Sequence, residues 1–329
     1  MPDPLLAIAD LSVAFRTEGG PREVLSGVSF DVAPGEILGI VGESGSGKSV
    51  TALSVMRLLG QGGRITKGSV RLEGVELTAL AESEMRKLRG KRLAMIFQEP
   101  MTSLNPLLTI GFQIEEVLRG HRGLSADAAK ERGVGLLGEV GIPNAASRYD
   151  DHPHLLSGGM RQRAMIAMAM ACEPRLLIAD EPTTALDVTI QAQILALMTR
   201  LRQEHGSAIL LITHDMGVIA RMADRVAVMY AGEVVEIANA ADLFARPAHP
   251  YTRLLLAAMP TVKRKEVRLP VIPGQMPAPG RMPGGCRFRT RCPSAVALCA
   301  EKAPELAGLG ECRSARCWRA AELAAETVA

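Results

Sequence analysis

Hydrophobic residues along the chain concentrate in four short runs, each followed at once by polar or glycine residues. These runs cover residues 37–41, 93–97, 176–179 and 209–212. Continuous apolar runs of this length are typical of strands that are buried on both faces of a parallel sheet. The pattern therefore predicts four central strands at these positions.

Helical patterns follow the predicted strands, for example over residues 193–202 and 216–223. Strands that alternate with helices predict an α/β fold built on a parallel sheet. In such folds ligands bind at the carboxyl ends of the strands, so the residues that follow each run are the first candidates for chemistry.

Two other regions depart from this alternation. Residues 5–15 and 24–32 alternate between apolar and polar positions around a Gly19-Gly20-Pro21 turn, which predicts an antiparallel hairpin ahead of the parallel core. Residues 99–170 are mostly helical in pattern and interrupt the series of strands. We expect an N-terminal antiparallel β subdomain and an inserted helical subdomain.

The composition supports one large aliphatic core. The chain has 329 residues, of which 47% are hydrophobic and only 3% aromatic, which suggests one large domain or a domain with an appendage. Net charge is +3, but residues 263–319 hold twelve Lys and Arg against four acids. Pro and Gly are dense from residue 263 to 285, which is typical of a linker into a small basic tail.

No targeting signal is predicted. The N-terminal residues carry no basic leader, and no apolar run approaches the roughly 18 residues that a membrane span needs. We therefore expect a cytosolic chain that contacts a membrane only through another protein.

Residues 42–49, GESGSGKS, match the phosphate-loop pattern G-x-x-x-x-G-K-[ST] in full. They follow the strand at 37–41 and lead into a helical stretch at 50–59, the context in which backbone N–H groups and a helix N-terminus bind phosphate. Lys48 is predicted to reach the β- and γ-phosphates of a nucleotide, and the Ser49 hydroxyl to bind Mg²⁺. The predicted nucleotide-binding residues here are Gly42, Ser44, Gly45, Gly47, Lys48 and Ser49.

Two adjacent acids, Asp180 and Glu181, follow the strand at 176–179. Neighbouring carboxylates at a strand end are unfavourable unless something uses them. We predict that Asp180 holds Mg²⁺ through water, and that Glu181 polarises the attacking water in phosphoryl transfer.

Residues 156–163, LSGGMRQR, resemble the LSGGQ-type signature of ATP-binding-cassette (ABC) proteins, with Met160 in place of Gln. Physically this is a Ser-Gly-Gly turn that opens a helix, a second anion-binding terminus. The resemblance implies a head-to-tail dimer with two nucleotides sandwiched between subunits. In that arrangement Ser157, Gly158 and Gly159 act on the ATP held by the partner.

Further cassette elements resemble those of the family in the same order along the chain. Gln98 corresponds to the glutamine that senses Mg²⁺ and the attacking water, His214 to the switch histidine on the γ-phosphate, and Asp187 to the end of the dimer-contacting loop at 185–187. Phe15 occupies the place of the aromatic that stacks on adenine, or is a core residue of the hairpin. The resemblance thus assigns catalysis to Glu181, His214 and Gln98, and Mg²⁺ to Ser49, Gln98 and Asp180.

Residues 98–106, 179–193 and 249–252 (HPYT) resemble the dipeptide/oligopeptide/nickel importer subfamily. This implies an ATPase, peripheral on the cytoplasmic face of the inner membrane, that powers uptake of peptides or a related small solute. It also implies two membrane-spanning permease subunits, which dock on residues 99–112, a second ATPase subunit that is usually a paralogue, an extracytoplasmic solute-binding protein, and no nucleic acid. The solute stays open among dipeptides, oligopeptides, glutathione, opines and nickel complexes.

Five of the six cysteines lie in the last fifth of the chain. In a reducing compartment such a cluster is more often a metal site than a set of disulfides. It resembles the C-terminal extension of peptide-importer ATPases, whose fuller members bind a [4Fe–4S] cluster. On that pattern the ligands are Cys286, Cys292, Cys299 and Cys317, with Cys312 a possible substitute for the last. Zinc is the alternative, although structural zinc sites favour C-x₂₋₄-C pairs that this spacing lacks; a basic tail with free thiols is the other.

These observations predict a P-loop NTPase cassette with three parts: a nucleotide-binding domain at 1–255 (helical subdomain about 99–170), a Pro/Gly-rich linker at 256–285 and a Cys-rich extension at 286–329. There are two alternative functions for such a cassette. A soluble cassette ATPase acting on DNA or ribosomes would suit the basic tail, but the chain shows neither a second cassette nor a long coiled-coil insertion. A non-hydrolysing regulatory subunit is disfavoured because Lys48, Glu181 and His214 are all present.

Overall fold

The computed structural model describes residues 3–99, 103–184, 186–259 and 271–326. The predicted docking segment, dimer-contacting loop and linker therefore lie partly outside the described residues, at 100–102, Ala185 and 260–270. The chain divides into two compact units. The first unit comprises residues 1–5, 33–35 and 79–211, and the second unit comprises residues 6–32, 36–78 and 212–329.

The second unit begins with an antiparallel sheet of four strands in the order β2-β1-β4-β5. Its members are β1 (Leu6–Thr17), β2 (Gly20–Val32), β4 (Gly63–Leu72) and β5 (Val75–Glu76). The predicted hairpin is present, but its turn lies at residues 18–19, because Gly20 and Pro21 already pair with Thr17 and Arg16.

The same unit contains a second run of strands in the order β11-β12-β10-β9-β3. Strand β3 (Ile37–Val41) pairs in parallel with β9 (Arg225–Tyr230), and β10 (Glu233–Asn239) is antiparallel to β9. The cysteine-bearing extension supplies β11 (Ala307–Gly310) and β12 (Arg313–Ala315), and Ala315 of β12 pairs with Glu236 of β10. The extension therefore continues the sheet that carries the phosphate loop. The helices of this unit are α1 (Lys48–Val55), α8 (Met216–Met222), α9 (Ala240–Ala245), α10 (Pro250–Ala257), α11 (Leu298–Glu301) and α12 (Ala320–Ala325).

The first unit contains three further central strands in the order β8-β7-β6. They are β6 (Leu93–Ile96), β7 (Leu176–Asp180) and β8 (Ala208–Ile212), and β6 pairs with β7 in parallel. Every residue of these strands is buried, as it is in β3. Double-sided burial explains why the four runs are apolar throughout, and the four predicted strands are confirmed within one residue at each end.

Helices make up most of the rest of the first unit. They are α2 (Glu82–Leu88), α3 (Ile110–Arg122), α4 (Ala126–Glu139), α5 (Ala145–Arg148), α6 (Gly158–Met170) and α7 (Val188–His205), with a 3₁₀ turn at Pro153–Leu155. Side chains of Thr109 and Ser125 cap α3 and α4 at their N-termini, and Gly206 in the left-handed conformation ends α7.

The helical subdomain is packed around one aromatic ring. Tyr149 is buried, and a Cβ atom on Gly111 of α3 would lie 2.2 Å from its ring. Gly133 of α4 makes room for the same ring. The Tyr149 hydroxyl donates a hydrogen bond of 2.8 Å to Glu115. Two small residues thus let α3 and α4 close on a single large side chain.

In the parts of the chain that the structure describes, no helix combines the length and the apolar character needed to cross a membrane.

Candidate nucleotide site and cysteine cluster

The phosphate loop lies in the second unit, between the buried strand β3 and helix α1. Gly42, Gly45 and Gly47 adopt φ angles of 153°, 80° and 107°, a region that favours glycine. A Cβ atom on Gly42 would lie 2.2 Å from the Met229 carbonyl oxygen, and one on Gly47 would lie 2.5 Å from Leu25. The glycines are therefore required both by backbone conformation and by close packing.

Lys48 is buried at the first position of α1 and points back into the loop. Its Nζ donates hydrogen bonds to the carbonyl oxygens of Gly42 at 2.8 Å and Glu43 at 3.0 Å. Ser49 beside it is half-buried, and Ser44 and Gly45 are exposed. The Ser46 hydroxyl is buried with no hydrogen-bond partner. The loop therefore gathers a buried ammonium group, an unpaired hydroxyl and a helix N-terminus, a donor set that suits phosphate.

The predicted acids lie at the end of β7 in the first unit. Asp180 is 5% exposed, and Glu181 follows it with a φ of 48°, unusual for a residue with a side chain. Gln98, just beyond β6, donates from Nε2 to Glu181 Oε2 at 3.1 Å, and Thr184 donates to the same oxygen at 2.8 Å. The structure thus brings Gln98 and Glu181 together, 83 residues apart in sequence.

Ser157 of the signature and Asp187 of the predicted dimer-contacting loop are each the N-cap of a helix. The Ser157 hydroxyl accepts a hydrogen bond from the Met160 N–H, and the Asp187 carboxylate accepts one of 2.9 Å from the Ile190 N–H. Ser157 and Gly158 are exposed, whereas Gly159 lies against the Ile190 side chain. Each residue therefore stabilises a helix end, and Ser157 and Gly158 remain open to solvent for another partner.

Two predicted residues of the second unit lie at strand ends. His214 is exposed two residues beyond β8. Phe15 is half-buried near the end of β1, and its ring is close enough that a Cβ atom on Gly63 would lie 2.8 Å from it. An open pocket is lined by the neighbouring residues Arg16, Pro21, Gly62, Gly63 and Arg64, but Phe15 is not part of its lining.

The described part of the predicted docking segment, at 103–112, exposes two large apolar side chains. Leu107 is 82% exposed and Phe112 is 49% exposed. The turn between them is fixed, because the Gln113 amide is buried and bonds Asn105 through both its oxygen and its nitrogen. A rigid turn thus presents apolar surface to solvent.

Four cysteines of the extension line one small cavity: Cys286, Cys292, Cys299 and Cys317. Burial raises the pKa of the Cys286 and Cys292 thiols, and it raises the pKa of Cys317 to about 11, with neighbouring cysteines adding to each rise. Cys312 is exposed, with a φ of 53°, in the turn between β11 and β12. As placed, no group of three or more His, Cys, Asp or Glu side chains among the described residues could hold a metal ion.

An aromatic cluster joins this extension to the sheet. Tyr230 of β9 lies 5.0 Å from the Phe288 ring and 4.8 Å from Tyr251 of α10, measured between ring centroids. Buried Glu236 of β10 accepts hydrogen bonds from the main-chain N–H groups of Ala248 and His249. Residues 249–252 thus anchor the extension. In the sequence analysis they are only part of the resemblance to the importer subfamily. Sequence reasoning missed this role, because the ring partners lie up to 58 residues away (Tyr230 to Phe288).

Comparison with known proteins agrees with this geometry. The ABC transporter family model matches residues 25–184, and the model for the oligopeptide/dipeptide transporter C-terminal region matches residues 235–299. A Brucella abortus (strain 2308) protein, named as an ATP-binding protein of peptide import, is 52% identical over 95% of this chain and 94% of its own length. The oligopeptide transport ATP-binding protein AppD of Bacillus subtilis (strain 168) is 50% identical over 98% of both chains.

Solved structures give the same result for the fold. A dimeric ATP-binding cassette in a post-hydrolysis state, bound to ADP and Pi, is 28% identical, with a TM-score of 0.65 over 71% of this chain and 98% of that one. The protein cbiO1 from Clostridium perfringens, part of an ABC transporter complex, is 25% identical, with a TM-score of 0.62 over 74% and 91%. The predicted P-loop cassette fold is confirmed, and the chain belongs to the ATP-binding subunits of the ABC transporter family, in the branch that carries the oligopeptide/dipeptide transporter C-terminal region.

Proposed function

We propose that this chain binds and hydrolyses ATP to power the import of peptides through a membrane complex. The observation that carries the proposal is the pair of relatives named for peptide import and oligopeptide transport, which match at 50–52% identity over nearly the whole chain. The match includes the C-terminal region, and both the phosphate loop and the acids at the end of β7 are intact.

In this proposal Lys48 and the loop N–H groups hold the nucleotide phosphates. The carbonyl oxygens of Gly42 and Glu43 satisfy the buried ammonium group as it stands, and a phosphate oxygen is a stronger partner. Ser49 and Asp180 would hold Mg²⁺, which neutralises charge on the phosphates when bound. Phe15, half-buried near the end of β1, would support the adenine.

Glu181 is proposed as the group that polarises the attacking water. Gln98 and Thr184 both donate hydrogen bonds to one of its oxygens, which orients the carboxylate. His214 would contact the γ-phosphate. Catalysis is thus positioning of a water and stabilisation of charge, the two devices of enzymatic phosphoryl transfer.

The signature residues Ser157, Gly158 and Gly159 are proposed to act on a nucleotide held by a second ATPase subunit, most simply a paralogue, and Asp187 belongs to the loop that would contact this subunit. Two permease subunits would dock on the apolar turn that carries Leu107 and Phe112. The chain would then lie on the cytoplasmic face of the membrane, and a solute-binding protein on the other side would deliver the peptide.

We further propose that the extension binds a [4Fe–4S] cluster through Cys286, Cys292, Cys299 and Cys317. The support is that these four thiols line one cavity, whereas Cys312 lies apart. Thiolates are the usual ligands of such clusters, and the neighbouring Arg289 and Arg319 would offset their negative charge. The cavity that the four thiols line is small as they are placed.

The transport proposal is tested in vesicles that contain the full complex with its permease subunits and binding protein. We expect uptake of labelled peptide that needs ATP and stops with Glu181→Gln. ATPase activity that responds to DNA or ribosomes, and not to the peptide-loaded binding protein, would refute it.

The cluster proposal is tested by anaerobic purification and analysis for iron, acid-labile sulfide and zinc. We expect iron and sulfide in equal amounts, lost in Cys317→Ser and kept in Cys312→Ser. Zinc alone, or no metal, would contradict the cluster. If iron and sulfide were lost in Cys312→Ser and kept in Cys317→Ser, the fourth ligand would be Cys312 and not Cys317.

A further inference from the structure

One arginine of the extension is bonded directly to the phosphate loop. The Arg291 guanidinium donates two hydrogen bonds to the Glu43 carboxylate, of 2.6 Å from Nη1 to Oε2 and 2.9 Å from Nη2 to Oε1. Glu43 is the second residue of the loop, directly after Gly42. A bidentate arginine–carboxylate pair fixes the relative orientation of its two partners as well as their distance.

Arg291 is held rigidly for this contact. Its side chain is 4% exposed, its Nε donates to the Pro273 carbonyl oxygen at 2.7 Å, and its guanidinium lies 5.7 Å from the centroid of the Tyr230 ring. The Glu43 carboxylate raises the pKa of Arg291 further above its ordinary value, so the side chain stays charged. A buried, fully bonded arginine differs from a mobile surface ion pair, which contributes little.

Glu43 connects Arg291 to the phosphate-binding groups through its main chain. Its main-chain N–H donates to the Tyr251 hydroxyl at 2.8 Å, and its carbonyl oxygen accepts the 3.0 Å hydrogen bond from Lys48. One residue thus touches Arg291 through its side chain, α10 through its N–H and the phosphate-binding lysine through its carbonyl. A shift of Glu43 must change the position of the carbonyl that competes with phosphate for Lys48.

A second contact places the segment before the cysteines against the same loop. A Cβ atom on Gly45 would lie 3.1 Å from the Met276 methyl carbon. Arg291 itself directly precedes Cys292, and its N–H bonds the Phe288 carbonyl oxygen at 3.0 Å, inside the turn that begins at Cys286. The conformation of the cysteine segment therefore decides where Arg291 lies.

We propose that Arg291 is a positioning residue for the ATP site: acting through Glu43, it holds the phosphate loop in its nucleotide-binding conformation. The proposal rests on the function of the loop in ATP binding. Arg291 does not reach the reacting atoms, so its loss weakens nucleotide binding and raises KM while kcat is kept. The cysteine segment thereby gains control over ATP affinity.

The test measures nucleotide affinity of the full chain by displacement of the fluorescent analogue trinitrophenyl-ATP with ATP. Arg291→Gln is expected to raise the Kd for ATP about 10-fold, the size that one charge-assisted hydrogen-bonded pair carries. Glu43→Gln should do the same, and the double variant should be no weaker than either single variant, because both remove one interaction. Arg291→Lys, which keeps the charge but loses the fork, should lie between.

The matched control is Arg246→Gln, which removes an arginine–carboxylate pair with Asp242 on the surface of the same unit. It should leave the Kd unchanged. Because Arg291→Gln can disturb folding, circular dichroism and thermal unfolding accompany each variant, and Arg291→Lys and Glu43→Gln carry the test if it unfolds. KM and kcat of the assembled complex are measured as well. Loss of a purely structural pair would not raise KM selectively while kcat is kept.

Three results would overturn the proposal: folded Arg291 variants that bind ATP like the wild type, effects of the two single variants that add in the double variant, or a fall in kcat at unchanged KM. Failure of the ATP-binding function itself looks different. In that case the wild type and Lys48→Ala bind the analogue equally, whatever residue 291 is.

Discussion

Two carboxylates of the second unit, Glu76 and Glu43, are both held by hydrogen bonds. The partners of Glu76 are close to it in the sequence, whereas the partner of Glu43 is far away. Glu76 accepts hydrogen bonds from the hydroxyls of Ser69 and Thr78, seven and two residues away. Glu43 is bound by Arg291, 248 residues later. The first contact follows from a local turn, whereas the second exists only after the extension has folded onto the loop. The phosphate loop consists of residues that are adjacent in the sequence, but its conformation can thus depend on a distant segment of the chain.

The largest effect should come from a substitution of Glu181, which belongs to the pair of adjacent acids at the end of β7. Glu181→Gln is expected to lower kcat about 100- to 1000-fold, because the polarising carboxylate is lost, while ATP affinity stays within about 2-fold. Single-turnover hydrolysis by the assembled complex, beside equilibrium binding, measures both. Turnover at the wild-type rate would show that another group activates the water.

Lys48→Met should come next and act on binding. Loss of the buried ammonium group removes the charge-assisted hydrogen bonding proposed for the phosphates, so the Kd for ATP should rise about 100-fold. Displacement of trinitrophenyl-ATP measures it. This local effect should exceed the effect of Arg291→Gln; equal effects would mean that the distant contact matters as much as the motif itself.

Cys292→Ser should have a smaller effect, through the extension. Loosening the turn next to Arg291 is expected to raise KM for ATP about 3- to 10-fold, up to the effect of removing the arginine pair, with kcat retained. Steady-state kinetics of the complex, with iron analysis of the same samples, checks it. Cys312→Ser is the control, since Cys312 is exposed and does not line the cysteine cavity. A fall in kcat in folded Cys292→Ser would show a direct catalytic role for the extension.

The smallest effect should come from Glu76, the carboxylate whose hydrogen-bond partners are close in the sequence. Burial raises the pKa of Glu76, but hydrogen bonds from Ser69, Thr78 and the Val70 N–H outweigh it and lower the pKa to about 2. Because the folded value lies below the unfolded one, this stability is present above about pH 4.5 and is lost as pH falls toward 2. With 29% of the side chain exposed, Glu76→Gln should cost about 1 kcal/mol at pH 7.

Urea unfolding at pH 7 and pH 3 measures the Glu76 contribution. The difference in the free energy of unfolding between wild type and Glu76→Gln should narrow at pH 3, while ATP affinity at pH 7 stays unchanged. A change in ATP affinity would show that the β4–β5 turn also supports the loop, and would remove the contrast with Glu43.

The sequence was enough for the four buried strands, because double-sided burial leaves uninterrupted apolar runs. It was also enough for the phosphate loop and the family, because their residues are contiguous. It gave no sign of β9, β10 or the two strands of the extension, whose pairing depends on partners far along the chain. The contact of Gln98 with Glu181 and that of Arg291 with Glu43 could be found only from the structure, because each joins residues far apart in sequence. The domain boundaries and the individual roles of the site residues stay predictions.

The pairing of β12 with β10 also bears on how the chain can be cut. A fragment that stops at residue 259 would lose β11 and β12 and leave β10 as an open edge, with unpaired main-chain groups around Glu236 and Ile237. Such an edge is a template for strands of other molecules. The same cut would uncover the Tyr230 and Tyr251 rings. We therefore expect such a fragment to self-associate more readily than the full chain.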